Sequence, residues 1–297
     1  MADDSTASGA ELLDFALYRY ELSLPAAIAT AVVFLILTLL HIWRIYRHRS
    51  FYFTAFTVGG CFQVIGYCGR IWSHFDDTAI GGFVIQAILI LIAPALYAAS
   101  IYMILGRLIR ALHAESTSII PVKWMTKIFV VGDVLSFVLQ AGGGGIQAAG
   151  TLEFYDIGEK IIIVGLFIQI FIFGFFLVTT VVFHSRFRQS NRTVGQHPLI
   201  PWKRHLTVLY VASSIIMVRS IFRVVEYLQG NGGYLISHEV FLYVFDAVLM
   251  AAVMAIFCIF YVDDLETSDS GKRGSAIEML SSRDSDGPGM APRPYGV

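Results

Sequence analysis

Seven apolar stretches, each long enough to cross a lipid bilayer, limit what this chain can fold into more than any other feature. They cover roughly residues 22–43, 51–72, 79–106, 124–145, 161–183, 205–228 and 237–261. A spanning helix needs about 20 mostly apolar residues. In hydrocarbon only helices and closed barrels satisfy their own backbone groups, and runs of this length suit helices. The expected fold is an all-α integral membrane protein, a bundle of seven transmembrane helices. Charged residues make up only 14% of the chain, where a soluble domain carries about 25%. The formal net charge of −1 offers no basic surface for nucleic acid.

Orientation follows from where lysine and arginine sit in short loops. One side carries eleven of them: Arg44, Arg47, Arg49, Arg107, Arg110, Lys123, Arg186, Arg188, Arg192, Lys203 and Arg204. The other side carries Arg19, Lys160 and, at a helix end, Arg70. The basic side is expected to be cytosolic, which puts the N-terminus outside and the C-terminus in the cytosol. Residues 1–21 form a polar, acidic extracellular arm without the pattern of a cleavable signal peptide. Residues 22–262 form the seven-helix domain. Residues 263–297 are rich in Ser, Asp, Gly and Pro and read as a disordered cytosolic tail. The sequon Asn191-Arg192-Thr193 falls in the most basic loop and is expected to stay unmodified. Cys61, Cys68 and Cys258 lie in apolar runs and are expected to be small buried side chains without a disulfide. Trp43, Trp72, Trp124 and Trp202 fall at expected interfaces, as an aromatic belt requires.

Several spans carry polar residues at helical spacing. Residues four and seven apart share a face. Gln63, Tyr67 and Arg70 form one stripe, and Asp133, Ser136 and Gln140 another. Gly158, Gly165 and Gln169 line a third. Arg219, Arg223 and Glu226 form a fourth, and Glu239, Tyr243 and Asp246 a fifth. Such stripes are costly against lipid, so they are expected to face one another inside the bundle. Arg70, Arg223, Glu226 and Glu239 fall near outer helix ends, with Arg219 and Asp246 deeper and Asp133 near mid-depth. Three cations (Arg70, Arg219, Arg223) stand against four acids (Asp133, Glu226, Glu239, Asp246). These groups either neutralise one another as a structural network or line a cavity for a charged headgroup, with the surplus acid for an amine. The two readings are compatible. The glycine run Gly142 to Gly145 fits a flexible turn or a close helix approach, and Pro94 fits a kink.

The motifs that carry a resemblance are Gly66-Tyr67 with Arg70, Ala93-Pro94-Ala95-Leu96-Tyr97-Ala98-Ala99, and Asp133 with Ser136-Phe137 and Gln140. Gly158, Gly165-Leu166 and Gln169 follow. Most specific is Arg219-Ser220-Ile221-Phe222-Arg223-Val224-Val225-Glu226-Tyr227, followed by Gly230, Gly233, Glu239, Tyr243 and Asp246. Over about residues 20–265 the chain resembles the fungal lipid-translocating exporter family, seven-span proteins linked to 7-aminocholesterol resistance and to release of sphingoid long-chain bases. The resemblance implies a plasma-membrane or endomembrane protein that moves amphipathic lipids, or controls their movement, and confers tolerance to toxic ones. The N-terminal arm lacks the Asn-X-Ser/Thr site at which some relatives are glycosylated.

The function expected is translocation or export of sphingoid long-chain bases, sterol-like molecules or other toxic amphiphiles. The site expected to hold the headgroup comprises Arg70, Asp133, Gln140, Gln169, Arg219, Arg223, Glu226, Glu239 and Asp246. No GxxxxGK[S/T] motif is present, which argues against ATP-driven pumping by this chain. The alternative is a seven-helix lipid sensor or receptor that does not transport lipid itself. It fits the span count, although Asp/Glu-Arg-Tyr and Asn-Pro-x-x-Tyr patterns are missing. The eight histidines are too scattered for a zinc hydrolase, and the seventh span lacks a lysine for a retinal Schiff base. No enzyme activity, cofactor or metal is expected. The expected partners are membrane lipids and the amphiphile carried, with a homo-oligomer or a regulatory partner left open.

Overall fold

The computed structural model describes residues 23–48, 53–75, 80–147, 152–194, 201–230, 233–235 and 238–260. The expected N-terminal arm and C-terminal tail lie outside the described residues. Seven long helices and no strand occur among the described residues. They are α1 (Leu24–His48), α2 (Thr54–Phe75), α3 (Ile80–Ala111), α4 (Val122–Gln147), α5 (Leu152–Val194), α6 (Trp202–Leu228) and α7 (Glu239–Ile259). A single 3-10 turn, Glu115–Thr117, lies between α3 and α4. Within α7 the residues Tyr243–Val248 form a π-helical turn.

Five helices, α1, α3, α5, α6 and α7, are long and apolar enough to cross a membrane. Helices α2 and α4 are long enough at 22 and 26 residues but are not among these five. Each buries a polar face: Gln63 and Arg70 in α2, Asp133, Ser136 and Gln140 in α4. Helix α5 runs 43 residues, well beyond the apolar core at 161–183. Polar residues at both of its ends continue the helix, because hydropathy does not report where a helix stops. The sequon therefore falls on the last turns of α5, where side chains lie outside the described residues.

Successive helices run antiparallel. Phe34 of α1 stacks on Tyr67 of α2 at 5.6 Å between centroids, while His41 meets Phe56 at 5.0 Å. Helix α7 returns to α1 in parallel: the Ser23 N–H donates to Glu239, and further along the His41 ring bonds the Met254 carbonyl at 3.1 Å. The bundle thus closes on itself. Its core is aromatic, with Phe56, Tyr97, Tyr102, Phe129, Phe173 and Phe176 buried. The outward faces are equally apolar. Phe171 is 73% exposed and Val131 67%, which suits hydrocarbon and not water.

Helices α4 and α5 pack most closely where glycines meet. A methyl group on Gly158 would lie 2.5 Å from the Gly143 carbonyl oxygen, and one on Gly165 would lie 2.9 Å from that of Ser136. Small residues let helices approach in lipid, where packing has to replace the hydrophobic effect. The glycine run is thus helical throughout. Gly143 makes the close approach, while Gly142, Gly144 and Gly145 face open space.

Two expectations about side chains change. Trp43, Trp72 and Trp124 are exposed, but Trp202 is only 7% exposed. It packs edge-on against Phe187 at 5.2 Å, so α5 takes it out of any aromatic belt. None of the cysteines is fully buried: Cys68 is exposed on α2, and Cys61 and Cys258 are half-buried. A thiol on an outward helix face needs no core when the surroundings are apolar.

Candidate functional site

The antiparallel packing brings α2, α6 and α7 together at the bundle end away from most of the basic residues. Seven of the nine expected site residues carry charge, and six of these meet there. Arg70 Nη2 donates to Glu239 Oε1 at 2.7 Å, and Arg70 Nε donates to the Tyr243 hydroxyl at 3.1 Å. Tyr243 donates in turn to Glu239 Oε1 at 3.2 Å. The Ser23 N–H lies 3.1 Å and 3.0 Å from the two Glu239 carboxylate oxygens. Glu239 thereby ties the start of α1 to α2 and α7.

About two turns deeper on α7, Asp246 bridges two arginines of α6. Its Oδ1 accepts from Arg219 Nε, and its Oδ2 accepts from Arg223 Nη2 at 2.9 Å. Arg223 Nη1 also donates to Glu226 Oε2 at 2.9 Å. Arg219 and Asp246 are each only 2% exposed at the side chain, and Arg223 is 15%. The π-helical turn carries Asp246. Such turns add a residue to the helix and re-aim the side chains around it.

Arg219 makes one further contact, and α3 explains it. Arg219 Nη2 lies 3.4 Å from the Ile90 carbonyl oxygen. In a regular helix that carbonyl would accept from the N–H of residue 94. Residue 94 is proline and has no N–H. Pro94 leaves the Ile90 oxygen available to an outside donor, and a buried guanidinium takes it.

The charges of this network cancel: Arg70, Arg219 and Arg223 against Glu226, Glu239 and Asp246. The surplus acid identified in the sequence is Asp133, which stands elsewhere. It lies near the middle of α4 and is 4% exposed. The Tyr102 hydroxyl donates to Asp133 Oδ2 at 2.9 Å. Asp133 lines a narrow crevice with Leu91, Ala95, Ser136, Phe137, Gln140 and Gln169. Gln140 Nε2 donates to Gln169 Oε1 at 3.0 Å across the α4–α5 contact. The nine expected residues therefore fall into two groups, six in the arginine network and three around the crevice.

Sequence reasoning missed Tyr102, Ser23 and the Ile90 carbonyl. Tyr102 sits in a long uncharged run, and nothing local marks its hydroxyl as a partner for an acid on the next helix. The Ile90 carbonyl had a legible cause in Pro94. Its partner, 129 residues away, was not legible.

The family described as "RTA1 like protein" matches residues 56–267. Protein RTM1 of Saccharomyces cerevisiae is 37% identical, over 86% of this chain and 94% of its own length. Protoporphyrin uptake protein 1 of the same yeast is 35% identical, over 82% and 91%. Sphingoid long-chain base transporter RSB1, also from that yeast, is 27% identical, over 79% and 70%. No solved structure matches.

Proposed function

The chain belongs to the RTA1-like protein family, and on that premise we propose that it moves amphipathic lipids across its membrane and so confers tolerance to toxic ones. Sphingoid long-chain bases are the first class to consider, since one relative is named for transporting them. All seven helices cross the bilayer in this reading. Helices α2 and α4 do so flanked by α1, α3 and α5, which are long and apolar enough to cross on their own. The N-terminus faces outward and the membrane is the plasma membrane.

The observation that carries the proposal is the polar interior. A bundle held together only by packing has no use for six charges and a lone carboxylate in its core, because each is costly in hydrocarbon. A protein that passes headgroups through the bilayer needs such groups. Glu226 is the acid of the network best placed to exchange partners, since among the described residues Arg223 is its only ion-pair and hydrogen-bond partner, whereas Glu239 also accepts from Ser23 and Tyr243.

The Glu226→Gln protein is expected to reach the membrane at the wild-type level yet to lose most tolerance to a toxic long-chain base. Growth of cells that depend on this chain, scored against a dose series, reads the effect. Full protection by Glu226→Gln at equal protein level would remove Glu226 from the mechanism.

A further inference from the structure

We propose that the crevice between α3, α4 and α5 is a cation site that takes the primary ammonium headgroup of a long-chain amphiphile, with Asp133 as its counter-ion. The proposal rests on the reading of the chain as a lipid mover and locates the headgroup within it.

Buried carboxylates are normally matched by a cation, because an isolated charge is costly in a low dielectric. Every carboxylate of the arginine network is matched in this way. Asp133 is not: it accepts one hydrogen bond from Tyr102 and has no ion pair among the described residues. The charges of the network are therefore balanced without a ligand, and the crevice is where a cation would add a missing partner.

On the α4 side the lining presents acceptors, with the amide N–H groups of Gln169 opposite on α5. Gln140 uses its amide N–H on Gln169, and its Oε1 is buried with no donor among the described residues. Gln140 is itself only 3% exposed. The Ser136 hydroxyl gives its hydrogen to the Asp133 backbone carbonyl at 2.8 Å, which leaves its oxygen to accept. A carboxylate, an amide oxygen and a hydroxyl oxygen thus share one short stretch of α4. An ammonium group has three N–H donors and no acceptor, so it matches this set. A phosphate or carboxylate headgroup would meet a negative charge and acceptors.

The surroundings fit the rest of such a molecule. Leu91, Ala95 and Phe137 supply an apolar wall for the first methylenes. Val134, Leu135 and Val138 on the same helix are more than half exposed on its lipid-facing side, where an alkyl chain can stay. The crevice has no room for a water-sized sphere, so the ammonium enters only as its side chains part. Ordered entry of this kind favours a headgroup no bulkier than a primary amine.

The test compares dodecylamine, dodecanol and dodecanoic acid as ligands of the purified full-length protein in detergent, by titration calorimetry. The wild type is expected to bind the amine about tenfold or more tighter than the alcohol or the acid, as a charge-assisted contact warrants. Asp133→Asn is expected to abolish that preference, while Asp133→Glu retains most of it. Gln140→Leu keeps the test open if Asp133→Asn does not fold; it should weaken the amine selectively, by about threefold, through loss of one acceptor. Undiminished amine preference in a folded Asp133→Asn protein overturns the site, as does equal wild-type binding of amine and alcohol. If Gln140→Leu shows no selective loss, that also counts against it. Amine selectivity that depends on Asp133, in a protein that shows no lipid flux, supports the site and overturns the transport reading instead.

Discussion

Asp246→Ala is expected to destabilise the bundle by about 3–5 kcal/mol, because it leaves two buried arginines without their shared anion. Asp246 is 1% exposed and holds Arg219 on one carboxylate oxygen and Arg223 on the other. After the substitution Arg223 still has Glu226, at 2.9 Å. Among the described residues Arg219 keeps only the Ile90 carbonyl at 3.4 Å, a neutral acceptor at long range. Thermal melting of the purified protein in detergent measures the loss. A melting temperature within a few degrees of wild type would mean that the network does not hold α6 to α7. A control sharpens the result. In Arg219→Met/Asp246→Leu the buried pair is replaced by apolar groups, and this variant should recover much of the stability lost in Asp246→Ala. Buried ion pairs are often replaceable together but not singly.

Arg70→Met is expected to cost roughly 3 kcal/mol, somewhat less than Asp246→Ala, because Glu239 retains other donors. The Ser23 N–H and the Tyr243 hydroxyl still reach its carboxylate, at 3.0 Å and 3.2 Å. Glu239 is also 13% exposed at the side chain, so part of its charge is solvated. The effect should couple to its partner. Arg70→Met/Glu239→Gln is expected to be more stable than Arg70→Met alone, since the double variant carries no unpaired buried charge. Strict additivity in that cycle would show that Arg70 and Glu239 do not act as a pair.

The overall helical character was legible because long apolar runs in lipid have few solutions. The five polar stripes were legible too, since helical spacing alone places Arg219, Arg223 and Glu226 on one face. What spacing does not reveal is partner choice across helices. Counting charges shows one acid too many, but it does not show that the odd one is Asp133 and not Glu226. That assignment needs the packing of α3 on α4, which puts Tyr102 beside Asp133 and leaves it without an ion pair among the described residues. The Gln140–Gln169 contact follows from the Gly165 approach, which can be read only once the α4–α5 register is known. The π-helical turn at Tyr243–Val248 left no mark in the apolar pattern, because one added residue shifts a stripe without breaking it. The buried position of Trp202 was hidden for a similar reason, since a tryptophan at a helix start suits a membrane interface and a helix contact equally well.

The central claim is that this chain itself carries the lipid. Flux of a labelled long-chain base across liposomes that contain only the purified protein tests it most directly. Movement well above that in protein-free liposomes, and lost in Glu226→Gln, is the predicted result. Wild-type protein that binds the lipid but moves it no faster than the bare bilayer would contradict the claim and make the chain a sensor.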